Sequence, residues 1–420
     1  MALTATSARV SDLEGLAFGE LAACAVRAPV AVRCLDAQDT PTEIRLGASR
    51  SGAPYGALAL LVRAGGGPLG WIGLPVPDRG AVIVPGLAPP APPPPPQPAE
   101  QATGAELLTV VIATCGRTDA AVASVDSVLR AAAGRVEVVV VENRPRGSAV
   151  RSAITEAFPG EHRVRVVEEE RRGLGCARNA GLRAAVGELV AFTDDDVQVD
   201  GRWIQALRAA FASGPGVACA TGLIVPLELE TPAQLQLERL AAYGKGFARR
   251  TYSLADPPPD QPLFPYTAGH FCSGANIAFR AGALRALGGF DPALGTGTPA
   301  RGCEDLDVCI RLLQSGGTLV YEPAAIVWHR HPDTPAAVRR RAFDYGAALG
   351  ALAAKQLLAR RTRGEVLSRA PAALRHLADP RSRKNAARGP GFPRRLVWLE
   401  RAGLASGPAG YLLSRARRCR

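Results

Sequence analysis

Between residues 106 and 335 short apolar runs alternate with stretches of helical, amphipathic spacing, the pattern of an α/β unit with a largely parallel sheet. Leu107–Thr114 is almost continuously apolar, as a strand buried on both faces must be. Thr118 and Asp119 are placed to cap a helix running through Arg130. Val136–Val141 is a second buried strand ending at Glu142 and Asn143, and a shorter one covers Arg163–Val167. A glycine-rich turn then leads into a helix over Cys176–Val186, and the strand Glu188–Thr193 runs straight into three aspartates. A helix begins near Gly302–Asp307 and continues to Gln314, followed by the strand Ala325–Val327.

On either side the pattern changes. Residues 1–88 are apolar with frequent Gly and Pro, and Ala57–Val62 and Ala81–Val84 read as short strands of a small β-rich accessory domain. Residues 89–105 hold a proline run, which favours an extended linker. From 336 the spacing is helical, with Phe343, Leu349, Leu352 and Leu357 as the expected packing stripe, and beyond 360 the chain reads as basic and irregular. Residues 336–420 are therefore expected to form a helical, basic C-terminal extension.

Composition narrows the class. At 420 residues with 47% hydrophobic and 21% charged side chains, the chain has the balance of a globular protein with a sizeable core. The net charge of +12 is concentrated toward the C-terminus, where an anionic membrane surface is a candidate partner. Nucleic acid is not expected, since neither zinc-finger spacing nor interleaved aromatics accompanies the charge. The nine cysteines include no C-x-x-C pair and are expected to be buried thiols in a reducing compartment. Without a signal-like N-terminus or an uncharged run of about 18–20 apolar residues, a cytoplasmic location is expected, at most peripheral at the inner face of the cell membrane.

The chemistry concentrates at four places. Asp194-Asp195-Asp196 closes a buried strand, where adjacent carboxylates repel one another unless a cation or protons intervene. If the strand stays extended, Asp194 and Asp196 share one side, at a spacing suited to Mn²⁺ or Mg²⁺, while Asp195 faces elsewhere. Gly173-Leu-Gly175 before a helix lets backbone N–H groups approach an anion, and Arg178 is available to pair with a diphosphate or brace the loop. Glu304 and Asp305 open a helix, where acidic residues are favoured by the dipole and where Asp305 could also serve as a general base. His329 ends a strand and is a candidate metal ligand beside the acidic cluster; His331 is a weaker one.

In this order the motifs resemble family 2 glycosyltransferases of GT-A fold, over residues 107–332. The resemblance rests on Thr-Val-Val-Ile-Ala-Thr114, Val-Val-Val-Glu142-Asn143, Gly173-x-x-x-Ala-Arg-Asn179 and Thr193-Asp-Asp-Asp196. It continues in Gly274-Ala-Asn276, Gly288-Gly-Phe-Asp291, Glu304-Asp305-Leu-Asp307 and Trp328-His329. It implies an enzyme that moves a sugar from a nucleoside diphosphate sugar to an acceptor hydroxyl, with inversion and a divalent metal. A saccharide or lipid-linked acceptor of cell-envelope polysaccharide or glycolipid synthesis is implied by the same analogy. It further implies that Thr114, Glu142, Arg178, Asp194 and Asp195 bind the nucleotide sugar. Asp194, Asp196 and His329 would hold Mn²⁺ or Mg²⁺, Asp305 would act as base, and Glu304 would assist it. Two departures stand out: Glu142 replaces the commoner aspartate, and no Gln-x-x-Arg-Trp follows Asp305, which favours adding one or a few sugars. A sugar-phosphate nucleotidyltransferase would need a glycine-rich signature after the first strand, which Thr114-Cys-Gly-Arg117 is not. A non-catalytic nucleotide-sugar-binding or membrane-assembly scaffold would be marked by loss of the acidic cluster or of Glu304–Asp305, and both are present.

Overall fold

The computed structural model describes residues 29–84 and 106–417, apart from residues 41, 78, 79, 146, 148, 380, 381, 387 and 390. The proline-rich linker expected at 89–105 and the first 28 residues lie outside the described residues.

The central unit contains β6 (Leu108–Thr114), α1 (Thr118–Ala131), β7 (Val136–Asn143), α2 (Ala149–Ala157), β8 (Val164–Glu169), α3 (Leu174–Ala184), β9 (Leu189–Asp194) and β10 (Val197–Val199). After it come α4 (Trp203–Ala212), β11 (Val217–Pro226), α5 (Pro232–Ala241), β12 (Arg250–Tyr252), β13 (Ile277–Arg280), α6 (Ala281–Ala286), α7 (Glu304–Gln314) and β14 (Thr318–His329). Its nine strands form one sheet in the order β10-β14-β11-β13-β9-β6-β7-β8, with β12 paired to β14. Strands β6, β7, β8, β9, β11 and β14 run one way, and β10, β12 and β13 run against them. This is the mixed, mostly parallel α/β sheet that the resemblance implied.

Side-chain alternation explains the layering. Val111, Ala113, Val139, Val141, Val190 and Phe192 pack on α3, α6 and α7. Their neighbours Val110, Ile112, Val138, Val140, Leu189 and Ala191 pack on α1, α2 and α4. Both faces are therefore covered, and the strands read as unbroken apolar runs. Cap geometry differs from expectation at α1, where Arg117 is the cap residue and makes no side-chain cap. A second correction concerns sulfur: Cys272 and Cys309 are joined by a disulfide across 37 residues, not held as separate thiols. Packing of the loop before β13 against α7 sets the two side by side, a proximity that linear spacing does not reveal.

The N-terminal strands are β1 (Val30–Asp36), β2 (Thr42–Arg45), β3 (Ala57–Ala64), β4 (Gly67–Pro75) and β5 (Ala81–Val84), with a 3-10 turn at Ala37–Asp39. They form a β1-β3-β4 sheet and a β2-β5 pair. One face of the larger sheet, with Val32, Leu61 and Trp71, packs on Leu223, Val225 and Ile326 of β11 and β14. Val30 also donates a main-chain hydrogen bond to Leu229 O at 2.8 Å. Burying such side chains contributes about 1.5–3 kcal/mol each, so this unit is attached to the central sheet by a core of its own.

The C-terminal part differs most from the sequence reading. It forms α8 (Pro335–Leu358), α9 (Arg363–Ala378), α10 (Arg383–Ala386) and α11 (Arg394–Ala416), where irregular chain was expected beyond 360. The packed face of α8 is also not the expected stripe. Leu352 is buried, but Leu357 is exposed, and Gly346, Ala347, Gly350 and Ala351 make the contact with α11. A Cβ on Gly346 would lie 1.9 Å from Glu400 O, and one on Gly407 would lie 2.4 Å from Ala347 O. The two helices meet at backbone distance, which glycine alone permits.

Candidate active site

The three aspartates leave the sheet where β9 ends. The strand stops at Asp194 and a turn takes Asp195 and Asp196, so the extended alternation does not persist. Asp194 accepts from Arg178 Nη2 at 3.0 Å. Asp195 and Asp196 instead share the Arg117 guanidinium, with Nε 3.0 Å from Asp195 Oδ2 and Nη1 3.1 Å from Asp196 Oδ2. Thr114 Oγ1, at the end of β6, donates to Asp195 Oδ2 at 2.7 Å. Burial lifts Asp195 to about 6, against the pull of Arg117. Asp196 is half-buried, and although desolvation pushes it up, His329 and Arg117 together hold it below the usual carboxylate range.

His329 reaches this cluster because β10 pairs antiparallel with β14, setting Val197 opposite His329. Its Nε2 lies 3.5 Å from Asp196 Oδ1. Its Nδ1 meets His331 Nδ1 at 2.9 Å, and His331 Nε2 meets Glu238 of α5 at 2.6 Å. All three are buried. A carboxylate accepts only, so neutral His331 donates from Nε2 to Glu238 and accepts at Nδ1. His329 then donates from Nδ1, and its Nε2 faces Asp196, which raises the imidazole pKa against burial; the tautomer left when that Nε2 proton is released carries its lone pair on Nε2. That tautomer suits a metal ligand, and a carboxylate-backed histidine is the usual arrangement behind one. Tyr243 stacks on His331 with ring centroids 5.5 Å apart and hydrogen-bonds Tyr345 at 2.6 Å. Arg341 of α8 faces the same acidic groups: burial opposes its charge, and Tyr345, Tyr243, Asp196 and Asp194 favour it.

No group of three His, Cys, Asp or Glu is assembled as a cation cage among the described residues. Mn²⁺ and Mg²⁺ commonly take only one or two carboxylates from the protein and the rest from substrate phosphates and water. Asp196 with the His329 lone pair fits that demand, and Asp194 stands beside them. Arg117 meanwhile supplies the cluster with positive charge.

Arg178 lies inside the domain rather than at its surface. It is 2% exposed, with Nη1 2.7 Å from Glu304 Oε1, Nη2 3.0 Å from Asp194 and 2.9 Å from Gly274 O. A Cβ on Gly274 would lie 2.3 Å from Nη1, so the loop can close over the guanidinium only as glycine. The neighbouring Asn179 clasps Phe290 through both main-chain groups, at 2.9 Å and 2.8 Å. Glu304 is buried, and burial raises it to about 7 despite Arg178. Asp305 is half-buried and accepts from Gly274 N at 2.6 Å and Leu306 N at 2.8 Å. The segment before α7 turns through left-handed backbone at Arg301 (φ 69°) and Cys303 (φ 66°), a conformation held only where the surroundings impose it.

Glu142 ends β7 buried at 2% exposure, and its Oε2 has no hydrogen-bond partner. Burial and Glu168 raise its carboxyl above the ordinary value. A buried, unpaired acceptor is the mark of a site that a ligand completes. Asn143 ties the next loop, donating to Glu169 O at 3.0 Å and accepting from Gly173 N at 3.0 Å. Asn276 bonds Leu223 O, Ala325 O and Trp203 Nε1, so it stitches β11, β14 and α4.

Sequence reasoning missed Arg117, Glu238, Lys245 and Arg341. Lys245 is buried, and burial lowers it to about 8 against the attraction of Asp305. Glu238 lies 93 residues from His331, and no local pattern joins them. Arg117 was visible directly after β6 and could have been paired with the acidic cluster by charge alone.

Residues 109–288 match the model of Glycosyl transferase family 2. The pre-mycofactocin glycosyltransferase of Mycobacterium tuberculosis is 34% identical over 186 residues, covering 44% of this chain and 36% of that protein. The glucosyl-dolichyl phosphate glucuronosyltransferase of Haloferax volcanii is 24% identical over 168 residues, covering 39% of this chain and 49% of that one. The chain thus spans between about a third and a half of these relatives. Among solved structures, the mannosyltransferase PcManGT of Pyrobaculum calidifontis, in complex with GDP-Man and Mn²⁺, aligns with a TM-score of 0.45 at 20% identity. That alignment covers 74% of this chain and 86% of the other. By its motifs, their order and the matched segment, residues 109–288 carry a domain that matches glycosyl transferase family 2.

Proposed function

We propose that this protein transfers a sugar from a nucleoside diphosphate sugar to an acceptor hydroxyl, by a single inverting displacement that depends on Mn²⁺ or Mg²⁺. The observation that carries the reading is the convergence of Asp194–Asp196, His329, Arg178 and Glu304–Asp305 at one end of the sheet, beside the unpaired carboxylate of Glu142. That end is where the parallel strands β6, β7 and β9 finish, the place where open α/β sheets bind ligands.

Each residue has a role. Glu142 Oε2 and Thr114 line the nucleoside pocket, Glu142 by accepting from the base or ribose. Asp195, held by Thr114 and Arg117, turns toward the ribose. Asp196 and His329 Nε2 would hold the cation, with Asp194 beside them, and the His331–Glu238 pair fixes the His329 ring. A divalent cation bound there offsets negative charge on the departing nucleoside diphosphate. Arg178 does not touch substrate; it holds Glu304 and Asp194 in register, so that the donor side and the acceptor side keep a fixed separation. Asp305, aimed by Gly274 N and Leu306 N, takes the proton of the acceptor hydroxyl through its remaining lone pairs. Lys245 lies close enough to Asp305 to feel its charge and to meet an anionic group on the acceptor. A cell-envelope polysaccharide or glycolipid is the acceptor class this reading favours.

The test is donor turnover without an acceptor, followed as nucleoside diphosphate release from a panel of donors with Mn²⁺ or Mg²⁺. One donor should be hydrolysed in a metal-dependent way, and Asp196→Ala should abolish that hydrolysis. Transfer to an acceptor should fall about 10²–10⁴-fold in Asp305→Asn. If every donor is inert and none raises the melting temperature with metal present, the reading is wrong and a non-catalytic scaffold takes its place.

A further inference from the structure

The C-terminal helices carry a feature that the transfer reaction does not use. Residues 360–420 hold sixteen Arg and Lys against three acidic residues, a surplus that accounts for all of the chain's net +12. Two of the acids are already paired: Glu400 with Arg388, and Glu365 with Arg369 and Tyr266.

At 100° per residue, the buried positions of α11, namely Leu396, Glu400, Gly403, Gly407, Tyr411 and Ser414, form one stripe against α8. The opposite stripe is fully outward. It presents Trp398 (65% exposed), Leu412 (54%) and Leu413 (55%), with the exposed small residues Ala402, Ala405 and Ala409 between them. This ridge is about 22 Å long at 1.5 Å per residue. Arginines border it: Arg394 and Arg395 at one end, Arg401 over the Trp398 ring at 5.3 Å, and Arg417 at the other. Neighbouring α9 adds exposed Leu367 and Leu374, with Arg363 and Arg375 on the same helix. An apolar ridge between unpaired cations, with a tryptophan at its edge, is the composition of a helix lying in a lipid interface. A nucleic acid would use the cations but not the leucines. No helix among the described residues is long and apolar enough to cross a membrane, so the contact is with a surface.

We propose that the outer face of α11, with α9 beside it, docks on an anionic phospholipid surface, with Trp398, Leu412 and Leu413 entering the interface and Arg394, Arg395 and Arg401 meeting lipid phosphates. This goes beyond the transfer reaction and does not depend on it, because donor hydrolysis is measured without lipid.

The test uses the full chain with vesicles of phosphatidylcholine alone or with about 30 mol % phosphatidylglycerol. Co-sedimentation should rise at least ~10-fold with the anionic lipid and fall again in about 0.5 M salt. Trp71 and Trp203 are buried, so Trp398 is the tryptophan that lipid can reach most readily. Its emission should shift to the blue and be quenched by brominated lipid, and Trp398→Phe should remove that quenching. The Trp398→Ser/Leu412→Ser/Leu413→Ser variant should lose binding by at least ~10-fold, with circular dichroism and donor hydrolysis unchanged. Three results overturn the proposal: no sedimentation with anionic vesicles; binding that survives the triple variant undiminished; or a dimer in sedimentation velocity that the triple variant dissolves, which would make a second copy the occupant of this face.

Discussion

Replacing Arg178 by Met removes the guanidinium that joins Glu304 to Asp194, and the structure sets how the cost should vary with pH. Arg178 serves Glu304, Asp194 and Gly274 O. Asp194 is partly solvated and can turn to water, whereas the Gly274 carbonyl loses a buried partner, a penalty of about 1–3 kcal/mol. Glu304 can escape its isolation by taking a proton. In the wild type it is raised from 4.5 to about 7, so below pH 7 it is already neutral in the folded state, and losing Arg178 costs it little. Above pH 7 the wild-type carboxyl is ionised in both the folded and unfolded chain. In Arg178→Met it should stay protonated when folded, and each further pH unit then costs about 1.4 kcal/mol. Urea unfolding should show a loss of roughly 2 kcal/mol at pH 6, growing to about 3–4 kcal/mol at pH 8, in the range for breaking a buried pair. Arg178→Met/Glu304→Gln should keep the pH 6 loss and lose its growth. A cost that does not change between pH 6 and pH 8, or a double variant as pH-sensitive as the single one, would refute the reasoning.

Other outcomes follow from the same geometry. Because the folded protein holds the Glu304 proton more tightly than the unfolded chain does, that group's contribution to stability should fall as pH rises from 4.5 to about 7. Glu304→Gln should flatten this limb of the stability profile, by about 3 kcal/mol at most. His331→Phe removes the acceptor that fixes the His329 ring and leaves buried Glu238 without its partner; Mn²⁺ affinity read by calorimetry should weaken about 10–100-fold, with a stability loss of about 1–3 kcal/mol beside it. Gly407→Val forces a side chain onto Ala347 O; a loss of at least about 1–3 kcal/mol in urea unfolding is expected, with Ala405→Val on the outer face near neutral.

The strands were the most legible part of the chain. β6, β7 and β9 are buried on both faces, so burial wrote itself into unbroken apolar runs, and the acidic residues at their ends could be placed before any coordinates. The C-terminal helices were hidden for the opposite reason. Their contact is made by Gly346, Gly350, Gly403 and Gly407, and glycine leaves no mark in a hydrophobic pattern. The candidate site was half-visible: Asp194–Asp196, Glu304, Asp305 and His329 stand in recognisable motifs and do converge. The partners that set their protonation do not. Glu238 and Arg341 come from other helices, and the burial that lifts Glu304 arises only when α3 and α7 pack together. Cys272 and Cys309 likewise belong to no sequence pair and meet only across that packing.

The backbone contact between α8 and α11 leaves little slack for one helix to slide on the other. At its far end α11 packs against the loop before α7: a Cβ on Gly410 would lie 2.5 Å from Pro299 O, and Tyr411 Oη lies 3.4 Å from Asp291. Lys355 of α8 bridges Asp291 at 2.8 Å and Asp307 of α7 at 2.6 Å. The outer ridge, the two helices and the first turn that holds Asp305 thus move as one piece. If α11 rests on a surface as proposed, Asp305 would stand at a fixed height above it, and acceptors would be selected by how far their hydroxyl stands from that plane.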